Sequence, residues 1–250
     1  MPGIRERGST MPGTVLVTGA ASGIGAATAI RLHERGWRVW AADLDEQGLG
    51  RLGPEVVSRV MDVTDEVAVE SLLHDVEEAE GRLDGVAACA GISYTAPAPE
   101  TPPRTFDEVL NVNLRAVFVL ARAALPLLAR SSGPSFVAVA SELGTVGAPG
   151  LSAYSSSKAA VINLMRVLAL ENAAQGIRFN AVAPGGTRTP MLEREQARLG
   201  RTLADSAANI PLGRLAEPAE IASVVEFVLS SDSSFMTGSV LVADGGYTAR

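Results

Sequence analysis

Short apolar runs rich in β-branched residues alternate with longer helix-like stretches along almost the whole chain. The apolar runs lie at 14–18, 37–42, 56–60, 83–89, 135–140, 177–183 and 239–243. The helix-like stretches lie at 23–35, 65–80, 105–130, 153–174 and 217–230. Strands that alternate with helices of this length build βαβ units and a parallel sheet. Nearly continuous apolar strands further indicate helices on both sheet faces. The pattern therefore predicts an α/β fold with a doubly wound parallel sheet.

The domain organisation follows from the same alternation. The chain has 250 residues without a repeat or an internal linker, so we expect one domain over 13–250 after a flexible tail at 1–12. A segment at about 186–215 interrupts the alternation, and long segments between strands are often lids or binding loops. Thr105 and Glu108 have the spacing of a capping box, which predicts where the long helix begins.

Composition excludes several classes of function. The net charge is −7 and no basic run is long enough for a nucleic-acid surface, so we expect no nucleic-acid partner. One cysteine, Cys89, cannot form an internal disulfide, and no Cys/His cluster indicates a metal. No apolar run reaches the roughly 7–15 residues of a secretory signal or the roughly 18 of a membrane span. We therefore expect a cytoplasmic protein without a membrane partner.

The first predicted strand leads directly into a glycine-rich loop, which a helix follows. The loop reads Thr-Gly-Ala-Ala-Ser-Gly-Ile-Gly at 18–25. Glycines there allow a tight turn and let the backbone approach a pyrophosphate, which then lies at a helix N-terminus that favours an anion. An ordinary glycine-rich turn is the simpler explanation of the motif alone, but its position favours a dinucleotide site in a Rossmann-type fold. The predicted contacts are Gly19, Ser22, Gly23, Ile24 and Gly25.

An acid at the end of the second strand predicts the choice of coenzyme. Asp43 follows Gly25 by 18 residues, close to the spacing at which a dinucleotide fold places an acid on the adenosine ribose. A carboxylate there accepts ribose hydroxyls and repels a 2′-phosphate, and the neighbouring Leu44 offers that phosphate no charge. We therefore predict NAD(H) in preference to NADP(H), with helix capping by Asp43 as the alternative. Asp62 and Val63 are expected near the adenine.

Tyr154 and Lys158 stand four residues apart where the helix at 153–174 begins. Positions i and i+4 share one helix face. Alone, the pair is most simply a tyrosine and a lysine at a solvated helix start. Beside a dinucleotide it predicts a phenol whose acidity a cation tunes. Proton removal near neutral pH requires the phenol pKa to fall by about two to three units, or about 3–4 kcal/mol. A cation about 4 Å away contributes about 4 kcal/mol at a dielectric constant near 20. Lys158, helped by the positive nicotinamide ring, is therefore predicted to be sufficient.

Together these motifs resemble the classical short-chain dehydrogenase/reductase family, from about residue 13 to 247. The resemblance matches the family's catalytic serine to Ser141, which precedes Tyr154 by 13 residues, and its structural and relay asparagine to Asn113. It also assigns a coenzyme-binding segment after the sixth strand, with Thr189 on the nicotinamide carboxamide. The predicted contacts of that segment are Pro184, Gly185, Thr187 and Thr189.

One motif departs from the family pattern. The family usually has Asn-Asn-Ala-Gly after the fourth strand, where this chain has Ala88-Cys89-Ala90-Gly91. The small Ala90 and Gly91 keep a close backbone approach to the coenzyme open, so Cys89, Ala90 and Gly91 stay among the predicted contacts. We interpret Cys89 as a small buried hydrophobic residue.

The resemblance implies an NAD(H)-dependent oxidoreductase that interconverts a secondary alcohol and a ketone. Ser141 would hold the substrate oxygen, Tyr154 and Lys158 would be catalytic as acid/base and its partner, and Asn113 would hold a water linked to Lys158. Lysine also has donors for the nicotinamide ribose. A non-catalytic dinucleotide-binding sensor on the same fold is the alternative from another class. An epimerase or dehydratase is a nearer rival, but family members of that kind usually carry longer C-terminal substrate domains.

The substrate pocket and the oligomer are less constrained. The predicted pocket residues are Ser93, Tyr94, Glu142, Leu143, Val146 and the segment 191–210. The arginines Arg188, Arg194, Arg198 and Arg201 either recognise an acidic substrate or form a solvated helix face. Glu142 either contacts a polar substrate or binds one of those arginines. The helices at 105–130 and 153–174 are apolar over much of their circumference, and the resemblance implies that they associate in a homotetramer.

Overall fold

The computed structural model describes residues 13–249, so the flexible tail predicted at 1–12 lies outside the described residues. The strands are β1 (Thr14–Thr18), β2 (Arg38–Asp43), β3 (Val57–Val60), β4 (Gly85–Ala88), β5 (Ser135–Val139), β6 (Arg178–Pro184) and β7 (Val240–Ala243). They form one sheet in the order β3-β2-β1-β4-β5-β6-β7. Every neighbouring pair in the sheet is parallel. The predicted doubly wound parallel sheet is therefore confirmed.

Both faces of the central strands are buried, which explains why these strands are apolar without a break. Side chains alternate between the faces of a strand. In β1, Leu16 packs into one apolar core while Val15 and Val17 pack into the other. No water reaches either face there, so neither face requires polar residues.

Helices cover both cores. They are α1 (Gly23–Glu34), α2 (Glu46–Gly50), α3 (Glu66–Glu80), α4 (Pro103–Leu110), α5 (Ala116–Leu128), α6 (Ser152–Asn172), α7 (Pro190–Arg198), α8 (Leu203–Ala207) and α9 (Pro218–Leu229). Apolar residues of α1, α2 and α9 pack in the core that contains Val15, and those of α3, α5 and α6 pack in the core that contains Leu16. The short helices α2, α7 and α8 are absent from the sequence prediction because none is long enough to show a periodic pattern.

The predicted start of the helix at 105–130 is wrong. Helix α4 begins at Pro103, because the fixed φ and missing N–H of proline suit the first helical position. Glu108 accepts a hydrogen bond from the Arg104 side chain at 3.0 Å instead of reaching a backbone N–H. The capping box of Thr105 and Glu108 is therefore not formed.

One helical run in the described chain, Pro103–Leu128, is long and apolar enough by composition to cross a membrane. A helix that covers the face of a sheet needs a similar composition. Val117, Leu120 and Leu128 of this run lie in the core that contains Leu16. Packing against the sheet thus accounts for these apolar residues.

The segment predicted at about 186–215 follows β6 and carries α7 and α8. The hydroxyl of Thr189 accepts a hydrogen bond from the backbone N–H of Leu192 at 3.3 Å and so caps α7. The segment leaves the sheet at the carboxyl end of its strands. The strand order reverses at β1, because β2 and β3 lie on one side of it and β4 lies on the other. A crevice forms at the carboxyl ends of the strands at this point.

Candidate active site

A cavity of about 610 Å³ opens along the carboxyl ends of the strands, on the side where strand order reverses. Ligands bind at this place in doubly wound sheets, and the volume is typical of a ligand pocket. Of the catalytic and coenzyme-binding residues predicted from the sequence, Asn113 lies behind the cavity wall and the others line it. The lining ones are Gly19, Ser22, Gly23, Ile24, Gly25, Asp43, Leu44, Asp62, Val63, Cys89, Ala90, Gly91, Ser141, Tyr154, Lys158, Pro184, Gly185, Thr187 and Thr189.

The glycine loop between β1 and α1 is packed too tightly for side chains. Gly19 has a φ of +68°, and a Cβ there would lie 2.6 Å from the backbone nitrogen of Ala90. A Cβ on Gly25 would overlap the carbonyl oxygen of Gly19. Ser22 is the N-cap of α1 and makes no side-chain capping bond, so the first-turn N–H groups face the cavity without a cap. The loop thus offers a bare backbone surface at a helix N-terminus, which fits the phosphates of a dinucleotide.

Asp43 ends β2 at the edge of this cavity. Its carboxylate accepts hydrogen bonds from the backbone N–H groups of Ala21 and Asp45, both at 3.0 Å, which fix it beside the glycine loop. The residue that caps α2 is Asp45, through the N–H of Gly48, so the capping alternative for Asp43 is wrong. Leu44 is 67% exposed beside it.

Tyr154 and Lys158 lie on one face of the first turns of α6, as predicted from their spacing. Nζ of Lys158 is 5.6 Å from the centroid of the Tyr154 ring. The ammonium is buried and donates a hydrogen bond to the carbonyl oxygen of Val139, at the end of β5, at 2.8 Å. Burial lowers the pKa of Lys158 to about 8, so the group is mainly protonated at neutral pH.

Burial controls the acidity of Tyr154 in the protein by itself. It raises the pKa of the phenol above its ordinary value, the Glu142 carboxylate raises it further, and the Ser141 hydroxyl lowers it. The prediction that Lys158, helped by the positive nicotinamide ring, makes the phenol acidic concerns the protein with coenzyme, so it stays a prediction.

Ser141 and Glu142 are bonded to each other at the end of β5. The Ser141 hydroxyl donates to Oε2 of Glu142 at 2.9 Å and accepts from the backbone N–H of Leu143 at 3.2 Å. Glu142 is only 9% exposed, and burial raises its pKa to about 7. No described arginine forms an ion pair with it, and Arg188 pairs with Glu217 instead. The proposed partnership between Glu142 and an arginine of the 186–215 segment is therefore wrong.

Asn113 occupies the middle of a π-helical turn, Asn111–Arg115, that joins α4 to α5. It is fully buried. Its amide donates to the carbonyl oxygen of Ile92 at 2.9 Å and to the Ser157 hydroxyl at 3.0 Å, and its Oδ1 accepts from the Ile92 N–H at 2.8 Å. The side chain thus ties the segment after β4 to α6, and it positions the wall that carries Lys158.

Cys89 replaces an asparagine of the family motif without leaving a reactive thiol. It packs against the core that contains Val15 while lining the cavity. Burial raises the pKa of the thiol to about 12. Almost no thiolate is present near neutral pH, which agrees with a small hydrophobic role.

The wall near Ser141 differs from the predicted substrate pocket. Ser93, Glu142 and Leu143 line the cavity, whereas Tyr94 and Val146 do not. From the predicted segment 191–210, Met191, Leu192, Arg194 and Glu195 line the cavity, and Ile92 is an additional lining residue. No short-range sequence pattern singles out Ile92.

Comparison with known proteins supports one family. Residues 19–248 match a family model described as enoyl-(acyl carrier protein) reductase. The chain is 41% identical over 241 residues to cis-4-hydroxycyclohexanecarboxylate dehydrogenase of Sinomonas cyclohexanicum, covering 94% of this chain and 96% of the relative. It is 37% identical over 238 residues to a 3-oxoacyl-[acyl-carrier-protein] reductase of Thermotoga maritima, covering 92% and 96%. The crystal structure of levodione reductase superimposes with a TM-score of 0.91 at 34% identity, covering 96% of this chain and 98% of that one.

Proposed function

Because the chain belongs to the short-chain dehydrogenase/reductase family, whose members are oxidoreductases that bind a nicotinamide dinucleotide, we propose that it is an NAD(H)-dependent enzyme that interconverts a secondary alcohol and a ketone. Its substrate is a small molecule, and Tyr154 is the acid/base. In this proposal residues 13–250 act as one dinucleotide-binding dehydrogenase domain.

One observation carries the proposal. Ser141, Tyr154 and Lys158 meet on the wall of the cavity that also holds the glycine loop. The Ser141 hydroxyl lies close enough to the phenol to lower its pKa, and the Lys158 ammonium lies over the phenol ring. A proton donor, a group that holds the substrate oxygen and a phosphate-binding loop therefore share one ligand-sized space.

The proposed chemistry divides the work among these side chains. A nicotinamide coenzyme held by the glycine loop would supply the hydride donor or acceptor and, in its oxidised form, a positive charge beside the phenol. Ser141 holds the substrate oxygen, and Tyr154 donates a proton to it in reduction or removes one in oxidation. Burial keeps the proton on Tyr154 in the protein itself. Tyr154 is therefore ready to act as the acid, and it needs the added positive charge to act as the base.

Lys158 and Asn113 complete the proposed machinery. Lys158 uses one donor on Val139, which leaves two donors for the nicotinamide ribose and a water. Both amide hydrogens of Asn113 are committed to Ile92 and Ser157. A relay water at this position would therefore be held by an oxygen atom of Asn113 and not by its amide hydrogens.

We further propose NAD(H) in preference to NADP(H). The carboxylate of Asp43 is held at the adenosine end of the cavity by two backbone N–H groups, where it would repel a 2′-phosphate. The basic residues on the described cavity wall, Lys158 and Arg194, belong to the end near Tyr154 and α7. No other cation lines the described cavity wall to offset the repulsion.

The experiment that tests the proposal is a screen of secondary alcohols with NAD and of ketones with NADH, followed by NADH absorbance. Turnover of at least one pair, with NAD preferred, supports the enzyme. Tight NADH binding without turnover of any member favours the sensor. Isomerisation or dehydration without net change in NADH favours the epimerase or dehydratase.

The quaternary structure and the location belong to the same proposal. Apolar side chains on the outer faces of α5 and α6 are exposed, with Phe118 at 47%, Val167 at 42% and Leu170 at 83%. Association of subunits would bury these side chains, which supports the predicted homotetramer. Size-exclusion chromatography with light scattering should give the mass of four chains, and the mass of a monomer would contradict the homotetramer.

The proposed enzyme works in the cytoplasm, without a nucleic-acid or membrane partner.

A further inference from the structure

Glu142 places a buried carboxyl group on the cavity wall next to the proposed catalytic serine. Its Oε2 lies 2.9 Å from Oγ of Ser141, and the residue is 9% exposed. A buried carboxyl is costly unless charge or hydrogen bonds compensate it. The hydrogen bond from Ser141 offsets part of this cost, but no ion pair does so within residues 13–249, and the nearby Asp244 and Tyr154 carry no positive charge. A residue this costly at a reacting centre calls for an explanation beyond packing.

A second carboxyl group borders the same end of the cavity. Glu195 of α7 accepts hydrogen bonds from the hydroxyls of Ser93, at 3.0 Å, and Thr95. Arg198, whose charge lowers the pKa of Glu195, stacks on the Tyr94 ring and donates to the backbone of Thr95. Apart from the Lys158 ammonium, which donates to the Val139 carbonyl, the wall around the reacting groups consists of hydroxyls, carboxyls and apolar side chains. Arg194 lines the cavity from an exposed position on α7.

This arrangement disfavours a negative group close to the reacting carbon and favours a neutral polar one. A carboxylate or phosphate there would meet Glu142 across a short, poorly solvated distance. A hydroxyl would instead hydrogen-bond to Glu142 in either of its protonation states, because a carboxylate accepts and a carboxylic acid can also donate. The distance to Ser141 fixes where that hydroxyl must be. An oxygen that contacts Glu142 while another contacts Ser141 belongs on a carbon adjacent to the reacting one.

We propose that Glu142 is a specificity-determining residue that selects uncharged substrates carrying a second hydroxyl on the carbon next to the reacting carbon, such as vicinal diols and the corresponding hydroxyketones. The inference rests on the proposed alcohol oxidation. It adds the substrate class and assigns the residue that recognises it.

The test compares three matched substrates with NAD: cyclohexanol, cyclohexane-1,2-diol in both cis and trans forms, and 2-hydroxycyclohexanecarboxylate. A hydrogen bond to a charged partner corresponds to roughly a tenfold preference or more. The wild-type kcat/KM is therefore expected to be about tenfold higher for the better diol isomer than for cyclohexanol. It is expected to be at least about tenfold lower for the carboxylate than for cyclohexanol, owing to like-charge repulsion.

Two substitutions separate hydrogen bonding from charge. Glu142→Gln keeps polar atoms at the site, so it should retain the diol preference and lose the discrimination against the carboxylate. Glu142→Val should bring the diol-to-cyclohexanol ratio close to one. Each ratio is measured within one variant, so any shared effect on Tyr154 cancels. Glu193→Gln removes the same charge from an exposed position of α7 that does not line the cavity, and it should leave all ratios unchanged.

The outcomes distinguish the two levels of the proposal. A wild-type diol-to-cyclohexanol ratio near one overturns the inference, even if Glu142→Val fails to fold. A preference that survives in Glu142→Val overturns it as well. If cyclohexanol is oxidised without either preference, the proposed function stands and only the inference fails. If the wild type binds NADH but oxidises none of the three, the result counts against the proposed function, and the inference fails with it.

Discussion

The hydroxyl of Ser141 is bonded to Oε2 of its neighbour Glu142 at 2.9 Å, so the proposed substrate-holding group is coupled to a carboxyl whose pKa is about 7. This carboxyl is protonated more readily in the folded protein than in the unfolded chain, where its pKa is near 4.5. The folded state therefore binds more protons between these two values. Its stability falls as the pH rises through this window, and the loss is complete above pH 7.

Glu142→Gln should remove that pH dependence. The neutral amide has no proton to lose, so the variant should gain stability relative to the wild type on going from pH 4.5 to pH 8. The full window corresponds to about 3 kcal/mol. Urea unfolding of both proteins at the two pH values measures the difference. If the difference in stability between Glu142→Gln and the wild type were the same at both pH values, the raised pKa of Glu142 would be contradicted.

The coenzyme preference should depend on the charge of Asp43. Asp43→Asn keeps an acceptor for the Ala21 N–H but removes the charge that repels a 2′-phosphate. The ratio of kcat/KM for NAD to that for NADP should fall by at least about tenfold, the effect of roughly 1.4 kcal/mol. Asp45→Asn is the matched control, because Asp45 caps α2 and does not line the cavity. A ratio that is unchanged in Asp43→Asn contradicts the assignment.

A methyl group in the glycine loop should damage the coenzyme site. In Gly25→Ala the new Cβ would overlap the carbonyl oxygen of Gly19. Overpacking of this kind costs about 1–3 kcal/mol, and the shift of the loop should weaken NADH binding. In Gly50→Ala the new Cβ meets nothing within 4 Å. Thermal unfolding should therefore show lower stability, and NADH fluorescence titration weaker binding, for Gly25→Ala but not for Gly50→Ala. Equal stability and NADH affinity of the two variants would contradict the packing described for the loop.

Asn113 should be needed for stability as well as for activity. Asn113→Leu leaves the N–H and carbonyl of Ile92 without their side-chain partners and removes the bond to Ser157. Each buried polar group left unpaired costs about 1–3 kcal/mol, so the free energy of unfolding should fall by about 3 kcal/mol. Asn163→Ala, at an exposed position of α6, should change it by less than about 0.5 kcal/mol. A well-folded Asn113→Leu with wild-type stability would contradict this structural role.

The sequence predicted the sheet because its strands carry a signal that local physics decides. Val15, Leu16 and Val17 are buried on both faces and therefore apolar without interruption. The glycine loop was equally clear, since only glycine fits at Gly19 and Gly25. Both features require particular residue types at fixed places, so they can be recognised in one sequence.

Features that depend on long-range packing could not be predicted in this way. Glu195 reaches Ser93 only because α7 folds over the segment after β4. The acidity of Tyr154 depends on burial and on Glu142, neither of which the spacing to Lys158 reveals. The sequence thus identified which residues gather at the site, but not the electrostatic environment that they form there.

The central claim is that the phenol of Tyr154 transfers the substrate proton. Tyr154→Phe removes only the hydroxyl, while Tyr94→Phe removes one from a ring that stacks on Arg198 away from the cavity wall. Turnover of a substrate found by the screen should fall by about a hundredfold to ten-thousandfold in Tyr154→Phe and stay near wild type in Tyr94→Phe. NADH binding should stay close to wild type in both. Turnover of Tyr154→Phe within a few-fold of wild type, with NADH bound normally, would contradict the assignment.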